Sequence, residues 1–356
     1  MLSKVSIKKL ISILSICLIS KLIISQTIEI NFLSLNVNTK NAELNFFQKD
    51  SMTAYYSAIY SEDNLDQSAI FKVNKSDGEW QKGTYYGLGE FYSVANIFID
   101  ENGLWYFSAC EEKDQKYNIY VFDEERDYIK KLDANINSKK YNSTQPFVVN
   151  HNNQRAMYFV SDREDGFGGN DIWLSIIDVN GKYGVPINLG KNINTEHDEI
   201  TPFYNVWSNE IFFSSNNVKV KGFDIYKSEG KLNLWKKRNE LLGFNTAQDE
   251  MYLNFFNSKA GHFSSNRRDS TLCNDIFNFN YKPNLGEKKT DHSFSNYLPL
   301  NLYFHNDEPD CCTMSDTTEQ TYKQAYISYF KMEEKYMRFS KDSSIYHFFQ
   351  DFNQLS

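Results

Sequence analysis

Five short aromatic runs, each closing on serine, recur at roughly 50-residue intervals: Ala54-Tyr55-Tyr56-Ser57, Trp105-Tyr106-Phe107-Ser108, Tyr158-Phe159-Val160-Ser161, Phe212-Phe213-Ser214-Ser215 and His262-Phe263-Ser264-Ser265. A second signal follows each: Ala69-Ile70-Phe71, Asn118-Ile119-Tyr120, Asp171-Ile172-Trp173, Asp224-Ile225-Tyr226 and Asp275-Ile276-Phe277. A polar loop recurs between units, at Leu35–Thr39, Leu132–Ser138, Leu189–Thr195 and Leu241–Thr246. Runs rich in Tyr, Phe, Ile, Val and Trp suit a pleated, half-buried surface, and Gly, Asn, Asp and Ser bound them. One such unit cannot bury its apolar face alone, whereas stacked neighbours can.

The period and the number of strands per unit predict an all-β chain, a five-bladed β-propeller, with a six-bladed ring carrying one divergent unit as the alternative. The blades fall at 41–90, 91–140, 141–197, 198–247 and 248–282. The last is one strand short, and the alternating Ile28-Glu29-Ile30-Asn31-Phe32 is expected to supply it. Trp80, Tyr183 and Trp235 sit late in their units and mark equivalent outer strands. At 16% of residues, aromatic side chains supply the large contact areas that blade packing needs.

Outside the repeats, Met1–Ser25 reads as a signal peptide: Lys4, Lys8 and Lys9, then the apolar Leu10–Ser20, then Ser25 as a small residue for cleavage. The apolar run is too short to span a bilayer. Removing this segment takes four lysines and no acid, moving the net charge from −8 to about −12. Such an acidic chain argues against nucleic acid or anionic lipid as the main partner. Residues 26–283 are the propeller, and 284–296, with Pro283 before it, reads as a linker. In 297–356 a fresh strand, Tyr297–Phe304, precedes a helical stripe of Tyr322, Tyr326, Tyr329, Met332, Tyr336 and Phe339, forming a small α+β remnant.

Chemistry-bearing motifs are sparse. Asp171, Asp224 and Asp275 precede an Ile-aromatic pair in three blades, and repetition favours a structural role at strand entry. Arg163, beside Glu164 and Asp165, is expected to fasten the turn by ion pairing, with Gly166, Gly168 and Gly169 supplying positive φ. Asp162 to Trp173 matches a calcium loop only in part, because Trp173 stands where the distant Glu belongs. No G-x-S-x-G, H-E-x-x-H, Walker or dinucleotide motif occurs, and the cysteine spacings fit no zinc site. Cys110 and Cys273 are expected to be buried blade residues, while Cys311-Cys312 is a vicinal pair of open disulfide state. No cofactor or metal is expected.

The stretch Tyr158–Trp173 (Y-F-V-S-D-R-E-D-G-F-G-G-N-D-I-W) and the later P-I-N-L-G-K-N-I-N-T-E-H-D-E-I-T-P resemble the WD40-like, TolB-type propeller repeats of bacterial envelope proteins. The variety is similar to propellers that precede an OmpA-like domain in Bacteroidota, and Leu298–Asp310 resembles the start of that domain. The resemblance implies a periplasmic location, or the periplasmic face of the outer membrane, with envelope proteins as partners in secretion or gliding machinery. It implies peptidoglycan binding only for a longer form, since the Asp and Arg segment that would bind it is not reached by Ser356. The expectation is therefore a non-enzymatic binding or scaffold protein acting through propeller loops. The alternative is a periplasmic hydrolase or carbohydrate-binding sensor with a site in the propeller channel.

Overall fold

The structure is a computed structural model that describes residues 27–282, except 63–64, 114, 152–153, 217–221 and 269–272. The chain divides into two units, Met1–Asn284 and Leu285–Ser356, and the described residues lie in the first. The signal-like Met1–Ser25, the linker 284–296, the 297–356 segment and the Cys311-Cys312 pair fall outside the described residues.

Every regular element among the described residues is a strand, and the strands form five antiparallel sheets, one per blade. The three inner strands of blade one are Ala42–Gln48, Thr53–Glu62 and Leu65–Ser76. Those of blade two are Ser93–Ile99, Leu104–Cys110 and Asn118–Asp123. Blade three has Ser143–His151, Gln154–Ser161 and Asp171–Ile176; blade four has Glu199–Asn205, Glu210–Ser215 and Asp224–Lys231. Blade five has Glu250–Phe255, Ala260–Ser265 and Asp275–Lys282, and its fourth strand is Thr27–Phe32, paired Thr27 to Lys282 through Phe32 to Phe277. The start of the chain thus closes the last blade, as the missing strand required, and the six-bladed alternative does not hold. Trp80 and Trp235 lie on short outer strands and Tyr183 bridges Ile177, which makes the three equivalent.

The recurring loop and strand signals are coupled by hydrogen bonds. In four places a loop asparagine takes the main chain of the isoleucine in the third strand at both ends. Asn137 accepts from Ile119 N–H at 2.8 Å and donates to Ile119 C=O at 2.8 Å. Asn194 does the same to Ile172 at 3.0 and 2.9 Å, and Asn245 to Ile225 at 2.8 and 3.0 Å. Asn38, from the segment that closes the ring, does so to Ile276 at 2.6 and 3.0 Å. The side-chain amide satisfies backbone groups that a full outer strand would otherwise pair. A second shared device follows it. Thr195 donates N–H and Oγ1–H to Glu199 at 2.6 and 2.7 Å, and Thr246 does so to Glu250 at 2.8 and 2.7 Å. Both carboxylates are fully buried and each meets an arginine, Arg238 at 2.8 Å and Arg267 at 3.1 Å.

All five innermost strands carry a register shift at the same place. There Asn45, Asn96, Gln145, Thr201 and Tyr252 adopt left-handed φ of 53°, 60°, 54°, 56° and 55°. Such a conformation costs roughly 1–3 kcal/mol in a non-glycine residue and persists only where neighbours enforce it. They do: Ser57 Oγ accepts from Asn96 N–H at 3.0 Å, Ser108 Oγ from Gln145 N–H at 2.9 Å, and Gln145 Oε1 from Thr201 N–H at 2.6 Å. The serine marks are therefore inter-blade clamps in blades one and two. In blade three Val160 stands at the matching register, one residue before Ser161.

Three sequence expectations change. Gly166, Gly168 and Gly169 are absent from the positive-φ glycines. They are there for close approach: a Cβ on Gly166 would lie 2.4 Å from an Asp171 carboxylate oxygen, on Gly168 2.3 Å from the His197 carbonyl, and on Gly169 2.5 Å from Asp198 Oδ1. Arg163 turns away from its acidic sequence neighbours. Its guanidinium donates to Ser161 Oγ at 3.1 Å, to Asn135 C=O at 3.0 Å and to Ile136 C=O, while covering the Phe159 and Trp173 rings. Carbonyls of the preceding loop need donors more than two exposed acids need a partner. Cys110 is buried, but Cys273 is only partly so.

Candidate functional site

The innermost strands line an axial channel, and four phenylalanines block it. Phe47, Phe98, Phe147 and Phe203 come from successive blades with ring centroids 5.5, 4.6 and 5.0 Å apart. In blade five Asn254 takes the corresponding place and donates to Phe46 C=O at 2.9 Å. On one side of this collar is a cavity of about 40 Å³ faced by Asn45, Asn96, Gln145, Thr201 and Tyr252. The Tyr252 hydroxyl accepts from Asn96 Nδ2 at 2.8 Å and Gln145 Nε2 at 3.2 Å, and burial pushes its titration up to about 12. Among the described residues no acidic or histidine side chain lines this cavity.

On the other side the collar becomes the floor of a larger recess of about 310 Å³. Its walls are the ends of the innermost strands and the turns after them in blades two, four and five, with Asn150 and Arg155 from blade three, and they bring Asp100, Glu101, Asn150, Arg155, Tyr204, Trp207 and Phe256 together. The hairpins are shaped by side-chain caps. Asp100 Oδ1 accepts from Asn102 N–H at 2.9 Å and Leu104 N–H at 3.0 Å; Asn205 Oδ1 accepts from Trp207 N–H at 2.9 Å and Ser208 N–H at 3.3 Å. Asp100 also pairs with Arg155, which donates onward to the Tyr106 hydroxyl at 2.7 Å. Burial raises the Tyr106 phenol above its usual range. Both Asp100 oxygens are thus committed. Among the described residues Glu101 accepts only a long bond, 3.3 Å, from Asn150 Nδ2. Trp207 is 54% exposed. Apolar ring faces, a lightly engaged carboxylate, an amide and a guanidinium therefore converge on one concavity.

The residues singled out in the sequence lie elsewhere. Asp171, Asp224 and Asp275 open the third strands of blades three to five, opposite Ser161, Ser215 and Ser265. Asp171 accepts from Phe167 N–H and from Asn188 Nδ2 at 2.9 Å, and burial raises its carboxyl; burial pushes Asp224 up to about 6. None of these three, nor Arg163, Gly166 or Gly169, lines either cavity. Among the described residues no group of three His, Cys, Asp or Glu side chains could hold a metal ion. The recess residues escaped sequence reasoning because they differ from blade to blade. Their one signal was position, in the turn after each innermost strand.

No protein-family model and no curated protein matches this chain. Solved structures do. They include a β-1,2-mannobiose phosphorylase from Listeria innocua (9% identity, TM-score 0.49, 72% of this chain and 97% of that one). They also include an endo-arabinase from Bacteroides thetaiotaomicron (13%, 0.49, 71% and 98%) and TolB from Acinetobacter baumannii (13%, 0.39, 70% and 56%). At such identities the likeness is one of fold. The expectation of a non-enzymatic scaffold is corrected at this point: the solved structures that match include glycan-processing enzymes, and a propeller fold by itself excludes no catalysis.

Proposed function

We propose that the chain is a carbohydrate-active propeller that seats a sugar residue in the recess on the hairpin face. The observation that carries this reading is the composition of that recess: a phenylalanine floor and the open Trp207 ring beside Glu101, Asn150 and Arg155. A pyranose has one apolar C–H face and a rim of hydroxyls, and such a surface meets both with aromatic faces and fixed polar groups. Glu101 is the candidate proton donor to a glycosidic oxygen, since its carboxylate is the one not already consumed by the fold. The Asp100–Arg155 pair holds the hairpin that presents it.

Export to the periplasm belongs to the same proposal, supported by Lys4, Lys8 and Lys9 ahead of the apolar Leu10–Ser20. The test is a panel of neutral glycans, arabinans and mannosides among them, assayed for binding and for bond cleavage with and without inorganic phosphate. The expected result is a bound glycan whose turnover is abolished in Glu101→Gln while binding persists. Failure of every glycan to bind would overturn the reading.

A further inference from the structure

We infer that the recess is one position in a row and that its ligand is an oligosaccharide, whose flanking residues lie on the rings of Trp207 and Phe256. The inference rests on the sugar-seating recess proposed above and adds the length and charge of what it takes. Trp207 and Phe256 stand on adjacent hairpins, of blades four and five. Both line the recess, yet they are 54% and 40% exposed, with Val206 beside them 51% exposed. A ring that served only the floor would be covered like Phe147, at 8%.

These rings are held in place. The Trp207 backbone is fixed by the Asn205 cap, while Phe256 donates its N–H to Ala260 C=O at 3.1 Å and packs 5.1 Å from the His262 ring. Fixed aromatic faces offer contact area at low entropic cost, as a binding platform requires. The opposite rim, from blades two and three, presents Glu101 and Asn150 instead. A chain lying across the mouth would therefore meet hydroxyl partners on one side and stacking faces on the other. The charged lining groups are Asp100, Glu101 and Arg155, one net negative charge, which favours a neutral glycan over a polyuronate.

The experiment is calorimetric titration of the full chain with a size series, from monosaccharide to hexasaccharide, of the glycan that binds best in the panel. Affinity is expected to rise about tenfold per added residue up to the trisaccharide and then level off. Trp207→Ala and Phe256→Ala are expected to flatten that rise, lowering affinity for long ligands far more than for the monosaccharide. Circular dichroism checks that these exposed substitutions leave the fold intact. Equal affinity at every length, or an unchanged rise in both variants, overturns this inference and leaves the recess standing. If no glycan of any length binds, the recess reading itself fails. A uronic-acid series that binds more tightly than the neutral one overturns the charge assignment.

Discussion

Asn96 Nδ2 reaches the Tyr252 hydroxyl at 2.8 Å, joining blade two to blade five across the channel. Gln145 adds a second donor to the same oxygen. Three of the five left-handed residues of the innermost strands are thereby tied at one level, and Gln145 Oε1 adds Thr201 as a fourth. Tyr252→Phe strips one acceptor from two amides at once and is expected to cost about 1–3 kcal/mol, read from urea unfolding with an unchanged slope.

The closing seam lacks a device present at two others. Glu43 occupies the place of Glu199 and Glu250 and accepts from Thr39 Oγ1 at 2.5 Å, yet no arginine is paired with it among the described residues. Its Oε2 has no hydrogen-bond partner there either. Burial chiefly pushes its carboxyl from the ordinary 4.5 up to about 7. The folded protein therefore holds this proton more tightly than the unfolded chain. The stabilisation is complete below about pH 4.5 and is lost as pH rises to about 7, at most about 3 kcal/mol. Glu43→Gln is expected to erase that slope and to be more stable than the parent at pH 8, measured by thermal unfolding across pH.

At Glu250 the opposite holds. Arg267 lies 3.1 Å from a carboxylate that is fully buried. Arg267→Ala leaves that charge uncompensated and is expected to cost about 3–5 kcal/mol in guanidinium unfolding. The Arg267→Ala, Glu250→Gln double variant should recover part of the loss.

Gly168 and Gly181 separate two reasons for glycine. A Cβ at Gly168 meets the His197 and Thr195 carbonyl oxygens at 2.3 and 2.6 Å, whereas Gly181 has open space and φ +77°. Gly168→Ala is expected to destabilise by about 3 kcal/mol through backbone displacement, and Gly181→Ala by about 1 kcal/mol through conformational strain alone. Thermal midpoints of the two variants order the effects.

These pairs explain what the sequence could reveal. The Asp171, Asp224 and Asp275 positions, the Asn194-type loops and the strand Thr27–Phe32 announce the ring because several blades solve the same closure problem with the same residue types. Arg163 was misassigned because its partners, Asn135 and Ile136, belong to the previous blade, while Glu164 and Asp165 are merely adjacent in sequence. The glycine turn misled for the same reason: its close neighbours, Thr195 to Asp198, arrive from a later segment. The recess was hidden because Glu101, Arg155, Trp207 and Phe256 are the places where the blades cease to repeat. A repeat search finds what is shared, and a site on a ring is built from what is not.

The hairpin-face recess is where a glycan is expected to sit. Hydrogen exchange of the backbone amides, with and without the best-binding glycan, locates it directly. Added protection confined to the hairpins at 99–104, 205–210 and 255–260 is the expected result. Protection on the opposite face of the collar, around Asn45, Asn96 and Gln145, or none at all, would contradict it.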